Sequence, residues 1–148
     1  MRRSFVVLGL SVLVCAATVS YADLSLDAQR TEKEMQEQKV APAQARIKAA
    51  AGTNIPIHVD WNSFVDSSHM QYIGAATGQT ATAIESICKD AMGKKAVASK
   101  VKSIDIRRSA PHEADKADFK DGMVKINESF EGTWIGASGI QSVIEKGL

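Results

Sequence analysis

Apolar and polar residues alternate strictly across positions 55–61, and this alternation constrains the fold more than any other feature. The segment reads IPIHVDW, and its apolar set is Ile55, Ile57, Val59 and Trp61. Because successive side chains of a strand point to opposite faces, this set would lie against a core while the other face meets solvent. The chain therefore needs a sheet with one covered face. Pro56 places the strand near a sheet edge or marks its start, since proline cannot donate a ladder hydrogen bond.

Helical segments are predicted on both sides of this strand. Residues 42–51 are rich in alanine and predict a short helix that starts at Pro42 and stops at Gly52. Residues 62–79 have the composition of a loop. A second helix follows and ends at Gly93. Its candidate N-terminal caps are Thr77, Thr80 and Thr82. Its inward set is Ala81, Ile84, Ile87, Cys88 and Ala91.

The second half of the chain predicts further strands, two or three of them antiparallel, and a final helix. Ile104 and Ile106 alternate with charged residues in one strand over positions 101–107. Asp121 and Gly122 lie between strand-like runs and indicate a hairpin, because both central residues of its turn need positive φ. The strand that follows carries a shared apolar face of Val124, Ile126 and Phe130. In the last helix, the residues predicted to face the core are Ile140, Val143 and Ile144.

These elements predict a single α+β domain at residues 42–148. Its sheet should be mixed or antiparallel with three to four strands, and helices should cover one of its faces. Residues 23–41 would precede the domain as a charged lead, either helical or flexible. The apolar residues of this lead form no stripe wide enough to bury.

The N-terminus predicts a cleavable export signal at residues 1–22. Two arginines precede an apolar run of roughly a dozen residues, and small residues follow, as in a secretory signal peptide cleaved between Ala22 and Asp23. The apolar run is shorter than the ~20 residues that span a membrane as a helix, and no later segment approaches that length. The mature chain should therefore have no transmembrane segment. An uncleaved anchor and a twin-arginine signal are the alternatives, and the predicted location is the periplasm or the cell exterior.

Charge and cysteine content narrow the classes of partner. The full sequence has 18 basic and 17 acidic residues, and removal of residues 1–22 takes away Arg2 and Arg3 but no acid. A chain this close to neutrality has no global field that would attract nucleic acid or anionic lipid. Cys88 is the only cysteine after the predicted cleavage site, so the processed chain could not form an intrachain disulfide.

The sequence matches no catalytic, cofactor or metal motif. His58 and Asp60 lie two positions apart and would share one face of their strand, as do two metal ligands or an imidazole and its orienting carboxylate. His69 is the candidate for a third ligand. The opposite interpretation is that these polar residues occupy a solvated face. Cys88 is interpreted as a buried filler and residues 112–115 as a solvated turn.

The predicted function is therefore that of a non-enzymatic binding protein whose partner is another exported or envelope protein. A possible open sheet edge at Pro56 would offer such a partner a site for strand addition. Basic residues concentrate in 94–108 and acidic residues in 113–131, so opposite charges could meet across the sheet, with an anion-binding patch as the rival interpretation. The alternative function is a small metal-binding protein or hydrolase that uses His58 and Asp60.

Overall fold

Four strands form one mixed sheet in the computed structural model, which describes residues 25–64, 66–110, 113–130 and 134–148. The strands are β1 (Ile57–Asp60), β2 (Ser103–Arg108), β3 (Lys116–Lys120) and β4 (Met123–Glu128). Their order across the sheet is β1-β2-β4-β3, in which β1, β2 and β4 run parallel and β3 is antiparallel to β4. The predicted α+β class is confirmed, with a mixed sheet of four strands.

Helices cover one face of this sheet. They are α1 (Leu26–Met35), α2 (Ala41–Ala51), α3 (Ser67–Met70), α4 (Ile73–Ile87), α5 (Ala91–Lys100) and α6 (Ala137–Gly147). Helices α4 and α5 lie between β1 and β2 in the chain, where they supply the crossover that two parallel strands require. Among the helices that the structure describes, none combines the length and apolar character of a membrane span. The predicted signal peptide, its cleavage site at Ala22 and Asp23, and His112 lie outside the described residues.

The covered face is built from alternate residues of the two central strands. Ile104 and Ile106 of β2 lie beside Val124 and Ile126 of β4, and all four are buried. Apolar residues of α4 and α6, among them Ile140, join them in one core. The residues between them point to the opposite face. The prediction that helices cover one face of the sheet is confirmed.

The hairpin turn is confirmed, but the predicted antiparallel neighbours are only partly right. Asp121 and Gly122 have φ values of 55° and 85° and join β3 to β4, as the sequence predicts. However, β2 pairs in parallel with β4 and does not touch β3 in the ladder. A hairpin signal specifies only the two strands that it joins, so it could not place β2.

The charged lead is helical from Leu26 onward, but this part of it is more buried than the sequence predicts. Helix α1 continues through a π-helical turn (Gln36–Val40) into α2. Ala28, Met35 and Val40 are buried, so the expectation that this segment has no stripe to bury is wrong. The π turn explains the error, because its wider turn places residues five positions apart on one face, where an α-helical period would separate them.

Pro42 does not begin a separate helix. It lies in the first turn of α2, which directly continues the helical segment formed by α1 and the π turn. Proline cannot donate the hydrogen bond to the residue four positions earlier, and its ring crowds that carbonyl. The π turn just before Pro42 relieves this conflict, because such a turn changes the spacing of the backbone hydrogen bonds. Gly52 ends the helix in the left-handed conformation, as predicted.

Helix α4 begins earlier than the sequence predicts. It starts at Ile73, so residues 73–79 are helical rather than part of a loop. Thr77 and Thr80 are not caps, because their hydroxyls donate to the carbonyls of Ile73 and Ala76 at 2.9 and 2.7 Å. This bond to the preceding turn lets a threonine side chain be buried inside a helix.

Helix α4 also ends earlier, because Gly93 lies in the first turn of the next helix. The N–H of Gly93 donates to the carboxylate of Asp90, the N-cap of α5, at 2.8 Å. Cys88 directly follows the last residue of α4 instead of lying deep within a helix. A Cβ at position 93 would lie 2.0 Å from the carbonyl oxygen of Ile87. Only glycine therefore allows α5 to start this close to the end of α4.

Gly93→Ala should destabilise the protein by about 2–3 kcal/mol, because the new methyl group would force the two helix ends apart. The matched control is Gly78→Ala in α4, where a Cβ would have no atom within 4 Å other than those of its own helical turn. That substitution should stabilise the fold by up to ~1 kcal/mol, since alanine favours a helix interior. Urea unfolding of both variants measures the difference. Equal stabilities would show that the contact at position 93 does not constrain the helix junction.

Candidate functional site

The face of the sheet opposite the helices carries side chains from all four strands, and we call it the open face. Its members are His58, Asp60, Ser103, Asp105, Arg107, Lys116, Asp118, Lys120, Met123, Lys125 and Asn127. All of them are half-buried or exposed. The alternation that buries isoleucines on one side thus places a mostly charged layer on the other.

Strand register sorts this layer into two rows that run across the sheet. The first row is His58, Asp105, Lys125 and Asp118. The second row is Asp60, Arg107, Asn127 and Lys116. Asp105 lies beside Lys125 in the first row and Asp60 beside Arg107 in the second, whereas Lys116 lies beside the neutral Asn127. The predicted pairing of the basic and acidic segments is seen only as Arg107 with Glu113, which lies outside the strands, and the described residues of this face form no ion pair between neighbouring strands.

Arg107 is the most firmly held member of the open face. Its Nε donates to Asn127 Oδ1 at 2.9 Å, and its Nη2 donates to Glu113 Oε1 at 3.0 Å. The other carboxylate oxygen of Glu113 accepts the N–H of Ala110. Residues 113–115 are therefore more than a solvated turn, since Glu113 contacts the end of β2 and Asp115 accepts the N–H of Ser129 at 2.6 Å.

The structure places His58 and Asp60 on one face, as predicted, but gives them no common partner. His58 lies beside Asp105 and Asp60 beside Arg107 in the register of β1 and β2. His69 lies in α3, where its Nδ1 is 2.9 Å from Asp66 Oδ1. Within the described ranges, no three His, Cys, Asp or Glu side chains are grouped to hold a metal ion.

Contacts with the Asp66 carboxylate hold the backbone and the ring of His69 at the start of α3. This carboxylate is the N-cap of that helix and accepts the backbone N–H of His69. The Ser68 hydroxyl and then the His69 ring hold the pKa of the Asp66 carboxyl well below its usual range. This cluster closes the first turn of a short helix, which is a structural role.

The surroundings of Cys88 fit the filler interpretation. Burial raises the pKa of its thiol above the ordinary value, whereas a nucleophilic cysteine needs a lowered pKa.

A hollow of about 400 Å³ indents the open face. Its lining residues are Asp60, Asp105, Arg107, Lys125 and Asn127. The hollow therefore has two carboxylates on one side and two cationic groups on the other. Asp105 Oδ1 is buried and has no hydrogen-bond partner among the described residues. The hollow therefore offers a ligand the negative charge of Asp60 and Asp105 rather than this oxygen itself.

Glu128 is a buried carboxyl that the sequence analysis did not single out. The residue is 1% exposed; Oε1 accepts the N–H of Ile135 at 3.0 Å, and Oε2 has no partner among the described residues. Burial, opposed by the bond from Ile135 and reinforced by the charge of nearby Asp115, raises its pKa to about 7. The register partner of Glu128 on the same buried face is Arg108. The period of β4 could have identified Glu128, because it follows Val124 and Ile126 on the inward face.

A row of aromatic rings packs at the same end of the molecule as Glu128. The ring centroids are 5.4 Å apart for Tyr72–Trp134, 5.7 Å for Trp134–Phe130, 5.5 Å for Phe130–Phe64 and 5.8 Å for Phe64–Trp61. Phe130 has a φ of 58°, which is strained for a bulky residue. Its contacts with the rings of Phe64 and Trp134 hold this conformation.

Comparisons of the chain with protein-family models, with curated proteins and with solved structures give no match. The functional inference therefore rests on the geometry and charge of the described residues.

Glu128→Gln should flatten the pH dependence of stability. The folded carboxyl has a pKa of about 7, above its unfolded value, so its contribution is complete below the unfolded pKa and is lost as the pH rises through 7. The wild-type protein should therefore lose roughly 3 kcal/mol between about pH 4 and pH 8 from this group, and glutamine cannot titrate. Urea unfolding across this range measures the slope. The glutamine amide adds two hydrogen-bond donors, which changes the free energy of unfolding by a similar amount at every pH. The comparison is therefore made between the slopes of unfolding free energy against pH, not between absolute values.

The exposed Glu145 provides the control for this measurement, since Glu145→Gln removes a carboxyl from α6 without touching the buried site. Its curve should run parallel to that of the wild type. Parallel curves for the wild type and Glu128→Gln would contradict the role given to the buried carboxyl.

Proposed function

We propose that this chain is an exported, non-enzymatic binding protein that docks on another exported or envelope protein through the open face. The observation that carries this proposal is the distribution of charge on the sheet. The helices occupy one face, and the other presents acidic and basic side chains from all four strands around a hollow. Interfaces with such patterned charge select partners and speed their association.

The edges of the sheet favour docking on the face over strand addition. Strand β1 is at an edge, as Pro56 predicts, but it is only four residues long. The outward N–H of Ile57 is already bonded to Gln44 Oε1 at 3.2 Å. The other edge strand, β3, carries exposed Lys116 and Lys120 at its ends. Short, blocked and lysine-bearing edges are typical of sheets that resist pairing with another chain.

The metal-binding or hydrolase alternative receives no support from the site. It needs a third group near His58 and Asp60, and the register places Asp105 beside His58 but Arg107 beside Asp60. The charged rows therefore favour a binding surface over a catalytic centre.

The export part of the proposal is supported by the composition of residues 1–22. We expect the native protein to begin at Asp23, which intact-mass analysis of the protein from its source cells measures. Recovery of the chain with its initiator methionine from the cell interior would contradict both the compartment and the choice of an exported partner.

The docking part is tested by affinity capture from an envelope extract with matched baits. A double variant, Lys116→Glu with Lys125→Glu, reverses two exposed charges of the open face. The control, Lys33→Glu with Lys95→Glu, makes the same change in net charge at exposed positions of α1 and α5. The wild type and the control should retain one partner at stoichiometric yield, and the open-face variant should lose it. A partner retained equally by all three baits would contradict docking on this face.

A further inference from the structure

We propose that the hollow on the open face receives a pair of opposite charges from the partner. A basic side chain would lie against Asp60 and Asp105, and an acidic side chain would lie against Lys125. This inference rests on the proposed function, because it takes the occupant to be an exposed polypeptide segment. It adds the chemistry of the segment, namely a lysine or arginine and an aspartate or glutamate that project from the same side.

The acidic half of the hollow is formed by Asp60 and Asp105, and neither forms an ion pair with another side chain that the structure describes. Asp60 and Asp105 come from neighbouring strands and are diagonal neighbours, because Asp60 is in register with Arg107. Asp105 Oδ1 is buried, so a group in the hollow meets the negative charge of Asp105 rather than this oxygen. An ammonium or guanidinium group that enters the hollow can form ion pairs with Asp60 and Asp105.

The basic half of the hollow offers Lys125 rather than Arg107. The Nε and Nη2 atoms of Arg107 are already bonded to Asn127 and Glu113. Lys125 is exposed and forms no ion pair with another side chain that the structure describes. Its register partners on the two sides are Asp105 and Asp118, of which Asp118 lies 4.0 Å from Lys116. A carboxylate from the partner would therefore meet Lys125.

The spacing of the two halves sets the spacing of the partner's charges. Asp105 and Lys125 are directly opposite each other on neighbouring strands, which lie about 5 Å apart. Side chains at positions i and i+2 of an extended segment point the same way and are about 6.6 Å apart along the chain. A segment with the pattern basic–any–acidic can therefore reach both sides of the hollow at once.

Three blocked pentapeptides test this pattern by titration of the purified protein in nuclear magnetic resonance experiments at low ionic strength. Their sequences are Thr-Lys-Thr-Glu-Thr, Thr-Lys-Thr-Gln-Thr and Thr-Gln-Thr-Glu-Thr. The first should shift the amide resonances of Asp105 and Lys125 and bind about tenfold more tightly than either single-charge peptide, because only it satisfies both halves. Added salt should weaken this binding, as expected for exposed charges.

Substitutions in the two halves should act differently on the peptides. Asp105→Asn should remove the preference for lysine, and Lys125→Met should remove the preference for glutamate. The control is Glu34→Gln, which removes an exposed acid from α1 and should leave the tenfold preference intact. Lys125→Met alters an exposed side chain, so its amide spectrum should keep the native pattern even if Asp105→Asn disturbs the strand.

Two results would overturn the inference. One is equal binding of all three peptides, and the other is the absence of saturable shifts on the open face up to about 10 mM peptide, a concentration that would detect affinities weaker than 1 mM. If the captured partner still depends on Lys116 and Lys125, the proposed function survives while the paired-charge pattern fails. If capture does not depend on them, the proposed function itself fails.

Discussion

Strands β2 and β4 pair in parallel over six residues, and the other elements take their positions from this pair. Alternate residues send Ile104 and Ile126 into the core, where α4 and α6 pack on them, and send Asp105 and Lys125 to the opposite face. A shift of one residue in this pairing would exchange the buried and exposed sets. The same register therefore maintains the core and aligns the charges that face a partner.

Local patterns predicted the elements of this sheet better than their arrangement. The alternation around His58, the alternation around Ile104 and the Asp121-Gly122 turn each marked a strand or a hairpin that the structure contains. The parallel neighbours of β2 could not be predicted, because pairing between distant segments depends on packing rather than on local sequence. The predicted start of α4 was wrong for a different reason. Two threonines that resemble helix caps lie inside α4, and their hydroxyls bond to carbonyls of the preceding turn.

The candidate site was predicted in part. His58 and Asp60 were correctly assigned to one face of a strand, but their neighbours Asp105 and Arg107 come from a strand more than forty residues later. Only the register reveals that these charges form rows and border a hollow. The inward position of Glu128 could have been predicted from the sequence, because alternate residues of β4 face the core and Glu128 is one of them. A glutamate at such a position is usually assigned to the surface because burial of an unpaired carboxyl is costly.

The aromatic row has a consequence for how the molecule would be observed. Trp61 and Trp134 are the only tryptophans in the sequence, and both belong to this row, joined through Phe64 and Phe130. Intrinsic fluorescence therefore comes almost wholly from one pole of the molecule. A change in emission reports on the segments that follow β1 and β4, whereas loosening of α1 or α5 would leave the signal nearly unaltered. Optical melting curves would thus record the opening of that pole, and a second probe would be needed to follow the helix layer.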